Sequence, residues 1–155
     1  MSSRSWTIIL CGGMILAIAL GFRQSLGLFS KSISADLGIG RESFALGLGL
    51  TNLFWGIGAP FTGAIADKYG SVAILVISGF LYASGLAIMA LSGTGEHLII
   101  GGTVLGFAMS GVGFSVILGV VARSAPVNKQ GLALGIASTF GSIGQCAALP
   151  YTHII

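Results

Sequence analysis

Long apolar stretches separated by short polar clusters set the pattern of this chain. A helix needs about 20 mostly apolar residues to cross the hydrocarbon core of a bilayer. Five stretches have that character, at residues 6–29, 44–66, 72–91, 98–121 and 131–155. Nearly all charges fall between them: Lys31, Asp36, Arg41 and Glu42, then Asp67 and Lys68, then Glu96 beside His97, then Arg123 and Lys129. The pattern predicts an all-α, polytopic transmembrane helix bundle. Arg4, the apolar run and Ala17-Ile18-Ala19 loosely fit a cleaved signal peptide. Against cleavage, the apolar run resumes after Arg23 and four further spans follow.

Composition strengthens this reading. Of the 155 residues, 54% are hydrophobic and 7% charged, and mean hydropathy is +0.99. A soluble domain carries about 25% charged residues, enough to coat a wet surface. The net charge of +3 is too small, and too scattered, for a phosphate-binding stripe, so no nucleic-acid partner is expected. Cys11 and Cys146 lie in apolar runs without metal-ligand spacing, which points to small buried hydrophobes. No metal, cofactor or catalytic motif is expected, and an enzyme is not predicted.

Charge asymmetry gives an orientation. With the amino terminus in the cytoplasm, the inner side holds Arg4, Lys68, Arg123 and Lys129, and the outer side holds Lys31 and Arg41. Four basic residues against two follow the positive-inside rule. The expected location is the cell membrane.

Helical periodicity sorts the small residues. Ala45, Gly49, Asn52, Gly56, Ala59 and Gly63 share one stripe of the second span. Gly102, Gly106, Ser110 and Gly113 share a face of the fourth, and Gly131, Gly135, Ser138 and Ser142 a face of the fifth. Such faces let backbones approach closely. They serve either a static bundle or helices that slide during transport. Pro60 and Pro150 each remove a backbone bond inside a span, either bending the helix round a cavity or merely being tolerated.

Arg23 is the most informative polar residue. Residues 6–22 make roughly 25 Å of helix at 1.5 Å per residue, short of a core about 30 Å thick. The span must continue past Arg23, placing it in the outer part of the helix, on a stripe with Gly12, Leu16, Ala19, Gly27 and Ser30. It either snorkels to the surface or offers a fixed positive charge to an anionic substrate. Gln24, Asn52, Ser110 and Gln145 are further candidates for lining a substrate path. Each also has the plainer reading of a hydrogen bond within or between helices.

The connector Gly63-Ala64-Ile65-Ala66-Asp67-Lys68-Tyr69-Gly70-Ser71 resembles the signature loop of the major facilitator superfamily, G-x-x-x-D-[RK]-x-G-[RK]. Gly63, Asp67, Lys68 and Gly70 match, and Ser71 replaces the final basic residue. The resemblance implies a gating loop on the cytoplasmic side. Gly63 would allow tight packing at the helix end, Asp67 would accept backbone or arginine bonds, and Gly70 would allow a tight turn. Gly102 stands where drug-antiporter branches carry arginine. Gly21-Phe22-Arg23-Gln24-Ser25-Leu26-Gly27-Leu28-Phe29 and Lys129-Gln130-Gly131-Leu132-Ala133-Leu134-Gly135-Ile136-Ala137 are similar to the first helix and the fifth-helix entry of monocarboxylate-transporter-like members. That branch's aromatic-rich opening motif is reduced to Trp6.

The resemblance covers the first five of the family's twelve helices. It implies that helices one, two, four and five line a cavity while helix three lies outside, and that a carboxy-terminal helical half is missing. The expected function is secondary transport of a small organic anion such as a monocarboxylate, by uniport or proton symport. Alternatives are a transporter-like membrane sensor and an inactive half-transporter. The expected partners are that small molecule, the lipid bilayer and the missing half.

Overall fold

The computed structural model describes the backbone of residues 3–37, 41–91 and 93–154, and the side chains of residues 3–27, 42–91 and 93–147. Every regular element among them is helical. In chain order they are α1 (Ser3–Leu37), α2 (Arg41–Tyr69), α3 (Ser71–Ala90), α4 (Gly95–Val112), α5 (Phe114–Ser124), a 3-10 turn (Val127–Lys129) and α6 (Gln130–Ile154). The helices outrun the apolar stretches. Lys31 and Asp36 continue α1, Asp67 and Lys68 continue α2, and Arg123 closes α5. Lys and Arg are good helix formers, so the end of an apolar run need not end a helix. The connectors shrink accordingly, and Gly70 alone joins α2 to α3.

Four segments are long and apolar enough to cross a membrane: Ser3–Gly27, Glu42–Tyr69, Ser71–Ala90 and Gly95–Ser124. The fifth expected span is helical as α6, but its described residues are not among these four. Pro150 lies outside the residues whose side chains are described.

The fourth span is the hub, with 61% of its most apolar window buried against 22% for α2 and for α3. α4 takes α2 on one side and α3 on another, while α6 packs along α1. Glycine makes the α2–α4 approach close. A methyl on Gly102 would collide with the Gly47 backbone, and one on Gly106 would sit 2.7 Å from the Thr51 carbonyl. Thr51 Oγ1 lies 2.8 Å from the carbonyls of both Gly47 and Gly102, sharing one proton between its own helix and α4. The fully buried Ser110 abuts Gly58.

The expected small faces are therefore half right. Gly102, Gly106 and Ser110 do form the packing face of α4. On α2, however, the packing stripe runs through Phe44, Gly47, Thr51, Gly58 and Ala66, while Gly49, Gly56 and Gly63 face open space. On α6 the line packed on α1 is Ala133, Ala137, Gly141 and the half-buried Gly144, and Gly131 and Gly135 are open. A stripe of small residues records only that nothing bulky belongs there. A neighbouring helix and an open space impose the same limit.

The fourth span was expected as one helix but breaks at Gly113, whose backbone is extended (φ −84°, ψ −171°). The break frees the Ser110 carbonyl from the regular ladder. Thr62 of α2 donates to it at 2.7 Å and Ser115 at 3.2 Å. Hydroxyls are the groups that re-satisfy freed carbonyls at membrane depth. α3 keeps an exposed apolar face and packs its opposite face on α4. Val72, Val76, Ile77 and Phe80 are more than half exposed, whereas Ser78 and Gly85 are buried against α4.

Glycine substitutions separate the two kinds of face. Gly106→Ala should cost about 1–3 kcal/mol by overpacking. Gly56→Ala should be neutral or stabilising by up to about 1 kcal/mol through helix propensity. Thermal unfolding midpoints in detergent check both, and equal midpoints for the two variants would contradict the packing described.

Candidate functional site

Arg23 sits half-buried on α1 and reaches α2. Its Nη2 donates to Asn52 Oδ1. The Asn52 amide in turn donates to the Leu48 carbonyl at 3.0 Å, which fixes the orientation of the acceptor. The guanidinium also lies 5.3 Å from the centre of the Trp55 ring, within the roughly 6 Å range of cation–π attraction. Asn52 and Trp55 are three residues apart, so one face of α2 carries both. One turn before Arg23, the Tyr82 hydroxyl of α3 donates to the Ala19 carbonyl at 2.8 Å. The arginine is thus held by α2, on a helix anchored by α3.

Arg23, Gln24, Gly27, Leu48 and Asn52 line a cleft of about 170 Å³. Arginine has five N–H donors, and the bond to Asn52 uses one of them. Three of the five expected path residues therefore meet. Ser110 does not join them: it is fully buried between α2 and α4, and its hydroxyl donates to the Phe107 carbonyl at 2.6 Å. Gln145 is half-buried on α6 and does not line the Arg23 cleft. Trp55 was missed by sequence reading. Its spacing from Asn52 is the signal that could have found it.

The signature segment forms a second polar cluster. Most of it is the last two turns of α2, and only Gly70 is a turn, with φ +99°. A residue with a Cβ would be strained there. Its N–H closes the helix on the Ala66 carbonyl at 3.0 Å. Asp67 accepts from Arg123 Nη1 at 2.5 Å, and Arg123 Nη2 donates to Ser71 at 3.1 Å. The serine that replaces the family's basic residue thus becomes an acceptor for an arginine on α5. Lys68 lies 5.2 Å from the Tyr69 ring centre. Gly63 has open space where a Cβ would stand, so it does not provide the tight packing expected of it.

Arg123 had not been singled out. Topology held the signal, because the second and fourth spans end on the same membrane face. Both partners of the ion pair are more than half exposed, and exposed pairs contribute about 0–1 kcal/mol. A double-mutant cycle on Asp67→Asn and Arg123→Gln, read by thermal unfolding, should return a coupling below about 1 kcal/mol. A coupling of several kcal/mol would make the pair a stability anchor and contradict this reading.

The family model described as Major Facilitator Superfamily matches residues 6–154. A curated relative from Bacillus subtilis (strain 168), described as the uncharacterized MFS-type transporter YfiU, is 35% identical over 98 residues. That match covers 60% of this chain and 18% of the relative's own length. No solved structure matches. The helical spans make this an integral membrane protein, and the family match over almost its whole length means that the chain belongs to the major facilitator superfamily.

Proposed function

We propose that this chain is the substrate-gripping part of the amino-terminal bundle of a secondary transporter for a small organic anion. The observation that carries the reading is Arg23, a cation held by Asn52 and Trp55 at the wall of a small cleft. An arginine within a span is costly, by about 2.5–3.5 kcal/mol at the centre on insertion scales. A half-buried arginine with donors to spare beside a cleft is suited to an anion that completes its hydrogen bonding. A planar carboxylate matches the guanidinium fork. The resemblance to monocarboxylate-transporter-like members around residues 21–29 and 129–137 supports the same substrate class.

Transport would be uniport or proton symport. Asp36, Glu42, Asp67 and Glu96 all stand near helix ends, so residues 1–155 supply no carboxylate in mid-span to carry the proton. The open faces of α2, at Gly49, Gly56 and Gly63, and of α6, at Gly131 and Gly135, would face the substrate path and a carboxy-terminal half. Two such halves rocking about a central site is how transporters of this kind alternate access. The Asp67–Arg123–Ser71 cluster ties together the ends of α2, α5 and α3. Its modest strength suits an inner gate that must open in every cycle. The positive-inside bias supports a cytoplasmic position for that gate.

A second reading has its own observation. Both contacts of Arg23 are internal, which fits a plain tie between α1 and α2. Affinity and stability measured together distinguish the two. In a transport-competent protein containing this bundle, Arg23→Ala should weaken anion binding by about ten- to a hundredfold. This corresponds to the loss of a charge-assisted bond worth about 1.5–3 kcal/mol. Arg23→Lys should lose less, since it keeps the charge but not the fork. Unchanged affinity with a lowered unfolding temperature would support the tie and sink the anion site.

A further inference from the structure

A larger cleft, of about 400 Å³, opens at the membrane face that carries the signature segment. It lies where the start of α1, the start of α3 and the end of α5 converge. Its lining is Arg4, Ser5, Ile8, Ser71, Val120, Arg123 and Ser124. The Ser5 hydroxyl donates to the Ser124 carbonyl at 2.7 Å and fastens α1 to α5 beneath it. Ile8 and Val120 give an apolar side. Two guanidiniums and the Ser71 hydroxyl give a polar one.

The charges are not balanced. Asp67 pairs with Arg123, but among the described residues the Arg4 guanidinium has no hydrogen bond or ion pair. Ser71 accepts from Arg123, and among the described residues its hydroxyl donates to no other side chain or carbonyl, which leaves that proton for a ligand. The cleft therefore offers a tetrahedral oxyanion one unmatched guanidinium, the spare donors of a second, and a hydroxyl. Its depth is marked by two aromatic residues. Trp6 is 43% exposed and Tyr69 70% exposed; Trp6 adjoins the cleft residue Ser5, and Tyr69 is two residues from Ser71. Tryptophan and tyrosine gather at the level of the lipid headgroups. Basic pockets between transmembrane helices at that level hold anionic headgroups.

We propose that this cleft is a binding site for a phosphate-class anion, with the phosphodiester of an anionic phospholipid as its occupant. The apolar side formed by Ile8 and Val120 favours a lipid over free phosphate, because it can cover the glycerol end of an acyl chain. The site is separate from the Arg23 cleft, which Arg23, Gln24, Gly27, Leu48 and Asn52 line, and it does not depend on what is transported.

The test uses the full chain carrying Trp55→Phe, which leaves Trp6 as the sole tryptophan. It is reconstituted in phosphatidylcholine vesicles containing either brominated phosphatidylglycerol or brominated phosphatidylcholine, and quenching of Trp6 is measured. Brominated phosphatidylglycerol should be favoured about fivefold, the effect of one basic residue near the membrane surface. Arg4→Gln should abolish that preference and Arg4→Lys should keep most of it. Lys129→Gln, which removes a basic residue outside the cleft, should leave it unchanged. Arg4 carries the test because, among the described residues, its guanidinium has no partner whose loss could unfold the bundle. Failure of inorganic phosphate to reverse the quenching assigns the site to lipid. Full reversal keeps the anion site but makes free phosphate its occupant. Equal losses for Arg4→Gln and Lys129→Gln would mean diffuse surface attraction and overturn the proposal, as would the absence of any preference.

Discussion

Close backbone contact between α2 and α4 is the interaction on which the rest of this structure depends. Lipid tails are as apolar as leucine, so burying leucine between helices gains little. Close approach gains dispersion contacts and short polar bonds instead, and it requires that side chains be absent. Gly47 against Gly102, and Thr51 against Gly106, meet that requirement. Once the helices are this near, the hydroxyls of Thr51 and Thr62 reach carbonyls on α4. Each such bond contributes about 0.6–2 kcal/mol in membranes. The interface is thus stabilised by many modest terms that all fail if the backbones separate.

The same interface governs the site. Gly113 breaks the fourth span where Trp55 lies, and a Cβ at Gly113 would stand 2.8 Å from the indole nitrogen. The indole therefore sits against a residue without a side chain, with Arg23 over its ring. Thr62, on the same helix as Trp55, satisfies the carbonyl that the break exposes. Packing, helix break and arginine placement form one connected arrangement, in which α2 is the common element. A shift of α2 along α4 would move Asn52 and Trp55 together and carry Arg23 with them.

Much of this was legible in the sequence, for reasons that can be named. Spans are written in apolar length, which is a one-dimensional property. Arg23 and Asn52 stood out because polar groups at membrane depth need a partner, and the structure pairs them with each other. What the sequence concealed was direction. Gly49 and Gly47 have the same chemistry, yet one faces open space and the other touches α4. Ser110 resembled a path residue but is sealed against Gly58. Arg123 lies 56 residues from Asp67, a distance that only the folding of alternate spans removes. Gly113 gave no signal of its own, since glycine occurs throughout these helices.

Under the proposed function, α2 turns one small stripe to α4 and the opposite stripe, near Asn52, to a watery path. Thiol accessibility in a transport-competent protein with Cys11→Ser and Cys146→Ser tests it most directly. Gly56→Cys, on the open stripe, should react readily with a membrane-impermeant methanethiosulfonate. Phe80→Cys, on the exposed apolar face of α3, should react only with a lipid-soluble maleimide. A Gly56→Cys protein that behaves like Phe80→Cys would place the stripe against lipid and contradict the arrangement.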